Sequence, residues 1–149
     1  MKKIIGLLSI VVLMVSIFVG CKEKIVPFSE RVAKVWNARI VLENTAVVYS
    51  SGGTGNLKPG YSSYKLNLAS PPNATITEVD GQTYSGTYTV EGENKIILTG
   101  ITPEPTGTGG TLEFTVNSLS SDNTQLIVTL NGLYPKTGNT TNKYTLIAQ

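Results

Sequence analysis

Four acidic side chains stand in two pairs whose members are two residues apart, and such pairs are where acid–base or metal chemistry is looked for first. Glu78 and Asp80 form one pair, and Glu91 and Glu93 form the other. Neighbouring carboxylates can share acid–base work or hold a calcium ion. Both pairs flank turns that contain glycine, where acidic side chains are common and solvated. We therefore expect them to face water, and we predict no metal site.

The residue types that are missing restrict catalysis further. The 149 residues include no histidine and one cysteine. Without histidine, neither a Ser-His-Asp nor a Cys-His arrangement can form. A single cysteine excludes an intrachain disulfide and a zinc site built on paired cysteines. We predict a protein that is not an enzyme, with no catalytic residues and no cofactor.

The one cysteine, Cys21, follows a leader with the pattern of a secretion signal. Lys2 and Lys3 precede an apolar run from Ile4 to Gly20, which is interrupted only by small residues. A basic start, an apolar centre and a small residue before the cut are what the secretion machinery reads. The run is slightly shorter than the roughly 20 residues that a membrane-spanning helix needs. We predict a signal peptide over residues 1–20.

The sequence Val19-Gly20-Cys21 resembles the lipobox of bacterial lipoproteins. The resemblance implies that Cys21 carries acyl chains, including palmitate, and anchors the protein to a membrane. Each buried CH2 group contributes about 0.8 kcal/mol to such anchoring. The following Lys22-Glu23-Lys24 is similar to the export signal of Bacteroidota-type lipoproteins. These resemblances imply an outer-membrane location on the periplasmic or cell-surface side.

Charge argues against nucleic acid as a partner. The chain has 12 Lys and Arg against 10 Asp and Glu, and removal of residues 1–20 takes away Lys2 and Lys3, which leaves 10 of each sign. No basic patch with interleaved aromatic residues remains, so we expect no binding to nucleic acid. Nothing in the sequence names a protein partner.

Beyond a tether over residues 21–28, the chain is expected to form one domain over residues 29–149. Ser29 could cap a helical turn from Glu30 to Lys34, and the rest alternates apolar and polar residues with a period of two, which is typical of strands. The residues from Ile101 to Gly110 carry two prolines and three glycines and are expected to form a loop. The alternation predicts eight strands, at residues 36–43, 64–68, 74–79, 84–90, 95–99, 111–117, 125–131 and 143–148.

The segment Ala46 to Tyr49 either continues the first strand or pairs with it. Connections are mostly short, and no helix is long enough for a parallel crossover. An all-β domain with one apolar face per strand can close as an antiparallel up-and-down barrel or stack as a β-sandwich. Hairpins throughout favour the eight-stranded barrel, and the sandwich stays the alternative.

Three stretches resemble the lipocalin-like domain of small bacterial lipoproteins. They are Trp36 at the start of the first strand, Gly86–Val90 leading into Ile96–Leu98, and the late pair in which Phe114–Leu119 precedes Gln125–Val128. The resemblance covers residues 30–149 and implies an eight-stranded lipocalin-like barrel. It implies fold better than activity.

An eight-stranded barrel either fills its interior with side chains or holds one small ligand. Inward aromatic residues could line a pocket for an apolar or amphipathic molecule, or they could fill the core, and the sequence leaves both open. The candidate ligand-binding residues are Trp36, Tyr64, Tyr84, Tyr88, Phe114 and Tyr144.

A second hypothesis is an adhesion or interaction module on the cell envelope that binds glycans or proteins. Tyr49, Tyr61 and Tyr134 lie at strand ends beside polar loops. If exposed, they could form a platform on which sugar rings stack. The alternative is that these tyrosines pack their own loops.

Overall fold

The computed structural model describes residues 25–105 and 107–149 of the chain. The predicted signal peptide and Cys21 lie outside the described residues. The elements, in chain order, are α1 (Phe28–Val32), β1 (Val35–Glu43), β2 (Ala46–Ser50), a 3-10 helix (Pro59–Ser63), β3 (Lys65–Ser70), β4 (Asn73–Thr77), β5 (Thr83–Glu91), β6 (Lys95–Thr102), β7 (Leu112–Leu119), β8 (Gln125–Leu130), a second 3-10 helix (Pro135–Thr137) and β9 (Asn142–Ala148).

Eight of the strands close into an antiparallel barrel, because β1 pairs on both of its edges. On one edge its start pairs with β3, where Trp36 faces Leu66. On the other edge it pairs with β9, from Trp36 opposite Ala148 to Glu43 opposite Asn142. The strands from β3 to β9 follow one another in chain order. The predicted up-and-down barrel is confirmed, and the β-sandwich alternative is wrong.

The segment after β1 forms a ninth strand outside this ring. β2 runs beside the C-terminal half of β1, with Ser50 opposite Ile40 and Ala46 opposite Glu43. It therefore pairs with the first strand rather than continuing it. The chain then passes through residues 51–58 to the first 3-10 helix, which returns it to the barrel at β3.

The core is built from side chains that meet across neighbouring strands. Phe114 of β7 lies opposite Ile96 of β6 and Leu130 of β8, and Val128 of β8 lies opposite Tyr144 of β9. All five are buried. Burial of such side chains stabilises a fold by about 1.5–3 kcal/mol each. The period of two in the sequence therefore places one side chain in the interior at every second position.

The helical turn and one loop differ from the expectations. The helix runs from Phe28 to Val32 instead of from Glu30 to Lys34, and its N-cap is Pro27, with no side-chain hydrogen bond. Phe28 and Val32 are four residues apart on one face of the helix and both are buried, so core packing rather than a Ser29 cap sets its position.

The expected loop over residues 101–110 begins two residues too early. β6 continues to Thr102, which pairs with Ser85 of β5 beyond an irregularity in register. Ile101 is buried in the core. Because Ile101 is buried, the strand continues through this residue, and the loop with the prolines and glycines begins after Thr102.

The two ends of the barrel are closed by different elements. We call one the α1 end, where the turns at residues 70–73, 91–95 and 119–125 lie. There Arg31 Nε donates to Asn123 Oδ1 over 2.8 Å. We call the other the far end; it carries the turns at residues 43–46 and 78–82 and the loops at residues 102–112 and 130–142.

Candidate functional site

Aromatic rings fill the barrel interior toward the far end. Tyr64 and Tyr144 stack with their ring centroids 4.7 Å apart. Phe114 and Tyr61 meet Tyr144 edge-on, each at 6.3 Å, and Tyr49 lies 6.2 Å from Tyr61. These separations are those of rings in direct contact. Of the predicted ligand-binding residues, the structure brings Tyr64, Phe114 and Tyr144 together as mutually packed core.

The other three predicted ligand-binding residues are buried at separate places. Trp36 Nε1 donates to the carbonyl oxygen of Val32 at 2.9 Å, which fixes the indole under α1. The hydroxyl of Tyr84 accepts from Lys136 Nζ at 2.6 Å at the far end. Tyr88 lies near the α1 end of β5. The six residues therefore do not line one common site.

Tyr49, Tyr61 and Tyr134 form no exposed platform and are packed into the protein, which was the alternative for these tyrosines. Tyr61 and Tyr134 are 0% and 1% exposed, and Tyr49 is 6% exposed. Tyr61 belongs to the 3-10 helix Pro59–Ser63, and Tyr134 precedes the one at Pro135–Thr137. Both short helices turn the rings inward, so the tyrosines close the barrel instead of facing solvent.

A partly buried ion pair connects Lys58, just before the first 3-10 helix, to β1. Glu43 is 6% exposed, and its Oε2 pairs with Lys58 Nζ at 2.5 Å. The hydroxyl of Tyr61 donates to Glu43 Oε1 at 2.8 Å. Burial raises the pKa of Tyr61 first of all, with the neighbouring Tyr144 and Glu43 adding to it, so the phenol is a hydrogen-bond donor at neutral pH.

A second buried carboxylate, Glu78, closes the far end from the β4–β5 turn. Its side chain is 1% exposed, and Tyr134 donates to its Oε1 at 2.8 Å. Burial raises the pKa of Glu78 to about 7, against the opposing effects of the Tyr134 hydrogen bond and the nearby Lys136. The expectation that this acid faces water is wrong, whereas its neighbour Asp80 is half-exposed and pairs with Lys136 at 2.6 Å.

Two polar atoms in this region have no hydrogen-bond partner. They are the hydroxyl of Tyr64 and Oε2 of Glu78, and both are buried. A buried unpartnered polar atom costs about 1–3 kcal/mol. A substrate could reach Glu78 only if the loop at residues 130–142 moved, because Tyr134 of that loop covers it. The hydrogen bond from Tyr134 to Glu78 links the loop at residues 130–142 to the β4–β5 turn.

An open groove of about 510 Å³ lies at the α1 end, outside the barrel interior. We call it the α1 groove. Its walls are mostly apolar, with the polar groups at the rim. Its lining residues are Ser29, Glu30, Ala33, Pro71, Pro72, Tyr88, Thr89 and Val90.

The α1 groove exists because two neighbouring strands differ in length. The pairing between β4 and β5 ends where Asn73 meets Thr87, while β5 continues to Glu91. The backbone N–H of Tyr88 bonds to the carbonyl oxygen of Pro72 at 2.7 Å. Proline has no N–H with which to extend the sheet. A gap in the barrel wall therefore remains between the end of β5 and α1.

Tyr88 presents one side to this groove while its polar atom is occupied. Its hydroxyl donates to the carbonyl oxygen of Leu68 at 3.0 Å, and burial raises its pKa. The ring is thereby held as an apolar wall. Tyr88 is the predicted ligand-binding residue that lines the groove. Sequence reasoning did not single out the prolines or Ala33; Pro71-Pro72 beside a short strand was the signal available for the groove.

A second, smaller pocket of about 200 Å³ lies at the far end, beside Leu112, Leu130 and Tyr134. Over the described parts of the chain, no cluster of three or more acidic, cysteine or histidine side chains is arranged to hold a metal ion. No helix in the same ranges is long and apolar enough to cross a bilayer.

Comparisons with protein-family models, with curated proteins and with solved structures found no match for this chain.

Proposed function

We propose that this protein is a lipid-anchored barrel of the cell envelope that binds the apolar part of a small amphipathic molecule in the α1 groove. The observation that carries the proposal is the groove itself, which has a mostly apolar lining and a volume of about 510 Å³. Small-molecule sites are typically about 300–1,000 Å³, with apolar walls and few polar groups. The α1 groove has both properties.

The lining favours an apolar chain or ring over a polar ligand. Pro71, Pro72, Ala33 and Val90 offer hydrocarbon, and Tyr88 adds its ring face. An apolar surface transferred from water to such a site gains about 25 cal/mol per Å². Ser29 and other polar groups lie at the rim, where a polar end of the ligand would remain in water.

The interior is a less suitable site than the groove. Tyr64, Phe114 and Tyr144 are in ring-to-ring contact there. A ligand among them would have to displace these contacts. The groove needs no such rearrangement, because it is already open.

The anchor half of the proposal places the protein at a membrane through Cys21. Its support is the lipobox-like sequence and the position of Ile25. This residue is 91% exposed and lies three residues before α1. The chain therefore enters the domain at the α1 end, the end at which a membrane anchor on Cys21 would act.

Ligand binding is tested with N-phenyl-1-naphthylamine, whose fluorescence rises in apolar surroundings. The protein used starts at residue 21 with Cys21→Ser, so that no acyl chain competes. We expect saturable fluorescence that is lost in Ala33→Leu, which fills the groove, and kept in Ala46→Leu, the same change at an exposed position of β2. Equal binding by the two variants would show that the groove is not the site.

The anchor is tested on the full chain expressed in a bacterium that processes lipoproteins. Mass spectrometry of the N-terminal peptide should find Cys21 as the first residue with three acyl chains. In Cys21→Ser these masses should disappear. An unmodified Cys21 in the wild-type chain contradicts the anchor.

A further inference from the structure

We infer that the occupant of the α1 groove is one acyl chain of a membrane lipid whose headgroup carries an ammonium group. This inference rests on the proposed function and names the ligand class of the same site. Three features of the structure support it: the position of the groove, the charge at its rim and the direction of the neighbouring cations.

The groove lies within reach of a bilayer to which Cys21 is anchored. Ser29, the first lining residue, stands eight positions after Cys21 in the chain. A fully extended chain of eight residues spans at most about 28 Å. The hydrocarbon core of a bilayer is itself about 30 Å thick. The tether therefore limits the distance between Ser29 and the membrane surface to about 28 Å and allows the groove to reach that surface.

Two exposed apolar residues lie in the tether, shortly before α1 in the chain. Ile25 and Val26 are 91% and 44% exposed, and α1 begins two residues after Val26. In the chain these two residues precede Ser29, the first residue that lines the groove, by four and three positions.

The rim of the groove selects the headgroup. Among the described residues that line it, Glu30 alone is charged, and its side chain is exposed. A carboxylate attracts an ammonium group and repels a lipid with a net negative charge. This rim favours an ethanolamine headgroup, whose ammonium group balances its phosphate, over a glycerol headgroup, whose phosphate is left as a net negative charge.

The cations on the same short segment are directed elsewhere. Arg31 bonds to Asn123 at 2.8 Å and lies 3.7 Å from Glu93. Lys34 Nζ donates to the carbonyl oxygen of Asn123 at 2.6 Å. Both side chains therefore face the β7–β8 turn, and neither neutralises Glu30 at the groove.

The test uses the full chain, extracted from membranes in a mild detergent and studied by native mass spectrometry. Phosphatidylethanolamine and phosphatidylglycerol with identical acyl chains are added in equal amounts. An exposed charge pair has a modest effect, so we expect about two- to fivefold more of the ethanolamine adduct. Glu30→Gln should make the two adducts equal, and Glu104→Gln, at an exposed far-end position, should keep the preference.

Groove occupancy is read from the same spectra. Ala33→Leu should reduce the adducts of both lipids, and Ala46→Leu should leave them unchanged. Thr89→Glu adds a carboxylate at an exposed rim position and should increase the preference for ethanolamine. These results together support the inference.

Failure of the inference is distinguishable from failure of the proposed function. If Ala33→Leu leaves the amount of lipid adduct unchanged, the inference is overturned. The proposed function stands in that case if N-phenyl-1-naphthylamine still binds in the groove. Adducts that respond to Ala33→Leu but show no headgroup preference overturn the assignment of an ammonium lipid. If neither the dye nor a lipid binds in the groove, both proposals are overturned.

Discussion

Glu78→Gln replaces the buried carboxyl of the far end by a neutral amide of the same shape, and its effect on stability should depend on pH. The folded protein raises the pKa of Glu78 from 4.5 to about 7, because burial disfavours the charged form. The Tyr134 hydroxyl can still donate to the amide oxygen of the introduced glutamine, as it does to Oε1 of the carboxyl in the wild type. The substitution therefore removes the titration and keeps this contact.

The sign follows from proton binding in the two states. Below pH 4.5 the carboxyl is protonated in both states and contributes no pH dependence. Between pH 4.5 and about 7 the folded state holds the proton more tightly, so the free energy of unfolding falls as the pH rises. Above about pH 7 the carboxyl is charged in both states, and the full cost of burying the charge reduces the free energy of unfolding. The change in pKa from 4.5 to about 7 corresponds to a cost of about 3 kcal/mol. Glu78→Gln should therefore gain stability relative to wild type by up to about 3 kcal/mol between pH 5 and pH 8.

Other titrating acids do not mimic this result. Burial acts to raise the pKa of Asp80, but its hydrogen bonds, first of all the one from Lys136, outweigh this effect. The pKa of Asp80 therefore lies below its ordinary value of 3.8. The hydrogen bonds from Ser120 and Thr124 lower the pKa of Asp122 likewise. A group with a lowered pKa contributes stability that is lost only as the pH falls through acidic values. Neither group changes the difference between the two proteins from pH 5 to pH 8.

The assay is urea unfolding at pH 5, 6, 7 and 8, followed by the fluorescence of Trp36. This residue is the one tryptophan of the chain and is buried in the fold. Glu104→Gln, at an exposed position, serves as the matched control and should track the wild type at every pH. A stability difference between Glu78→Gln and wild type that stays constant, or shrinks, as the pH rises would refute the reasoning.

Three further substitutions test how the far end is held, each by urea unfolding. A Cβ at Gly60 would collide with the backbone carbonyl oxygen of Val79. Gly60→Ala should therefore lower the free energy of unfolding by about 1–3 kcal/mol, the range for overpacking. An unchanged urea midpoint would mean that this contact is absent. Tyr64→Phe removes a buried hydroxyl that has no hydrogen-bond partner. The variant should be as stable as the wild type or more stable by about 1–3 kcal/mol. A clear loss of stability would show that the hydroxyl has a hydrogen-bond partner. Lys58→Met leaves Glu43 buried without its cation and should lower the free energy of unfolding by about 1–3 kcal/mol at pH 8. This cost is below the roughly 3–5 kcal/mol for breaking a fully buried pair, because Lys58 is partly exposed. Equal stability of the variant and the wild type would show that Tyr61 alone satisfies the carboxylate.

The barrel was predictable because alternation acts over every strand. Leu66, Phe114 and Leu126 each stand in phase with apolar neighbours two residues away, and all three are buried. A one-residue slip would turn a whole strand inside out, so the pattern specifies the register strongly. The barrel was expected because most connections are hairpin-like, and the pairing of β1 with β9 completes the ring.

The far end was not predictable from the same pattern. Tyr61 and Tyr134 lie just outside strands, where the period of two no longer says which way a side chain points. Glu78 looks like a solvated turn residue in the sequence, because Asp80-Gly81 follows it. Its burial depends on the hydroxyl of Tyr134, which is 56 residues away in the chain. A contact at that distance leaves no local signal.

The α1 groove was missed for a related reason. Its walls come from α1, from the β3–β4 turn and from the end of β5, which are distant in the sequence. Only the unequal lengths of β4 and β5 open the gap. Strand ends are the least certain part of a pattern-based prediction, so a site formed by a difference in strand length escapes it.

The two ends of the barrel are held by different forces, and this difference is why we assign binding to the α1 end. At the far end, Glu43 and Glu78 accept hydrogen bonds from buried tyrosines, and moving either loop would leave a buried carboxylate without its partner. At the α1 end, a helix of five residues is too short to be stable alone. It is held by the burial of Phe28 and Val32 and by polar contacts to the β7–β8 turn. A ligand in the groove would add apolar contact to this short helix, whereas a ligand at the far end would have to break the hydrogen bonds from Tyr61 to Glu43 and from Tyr134 to Glu78.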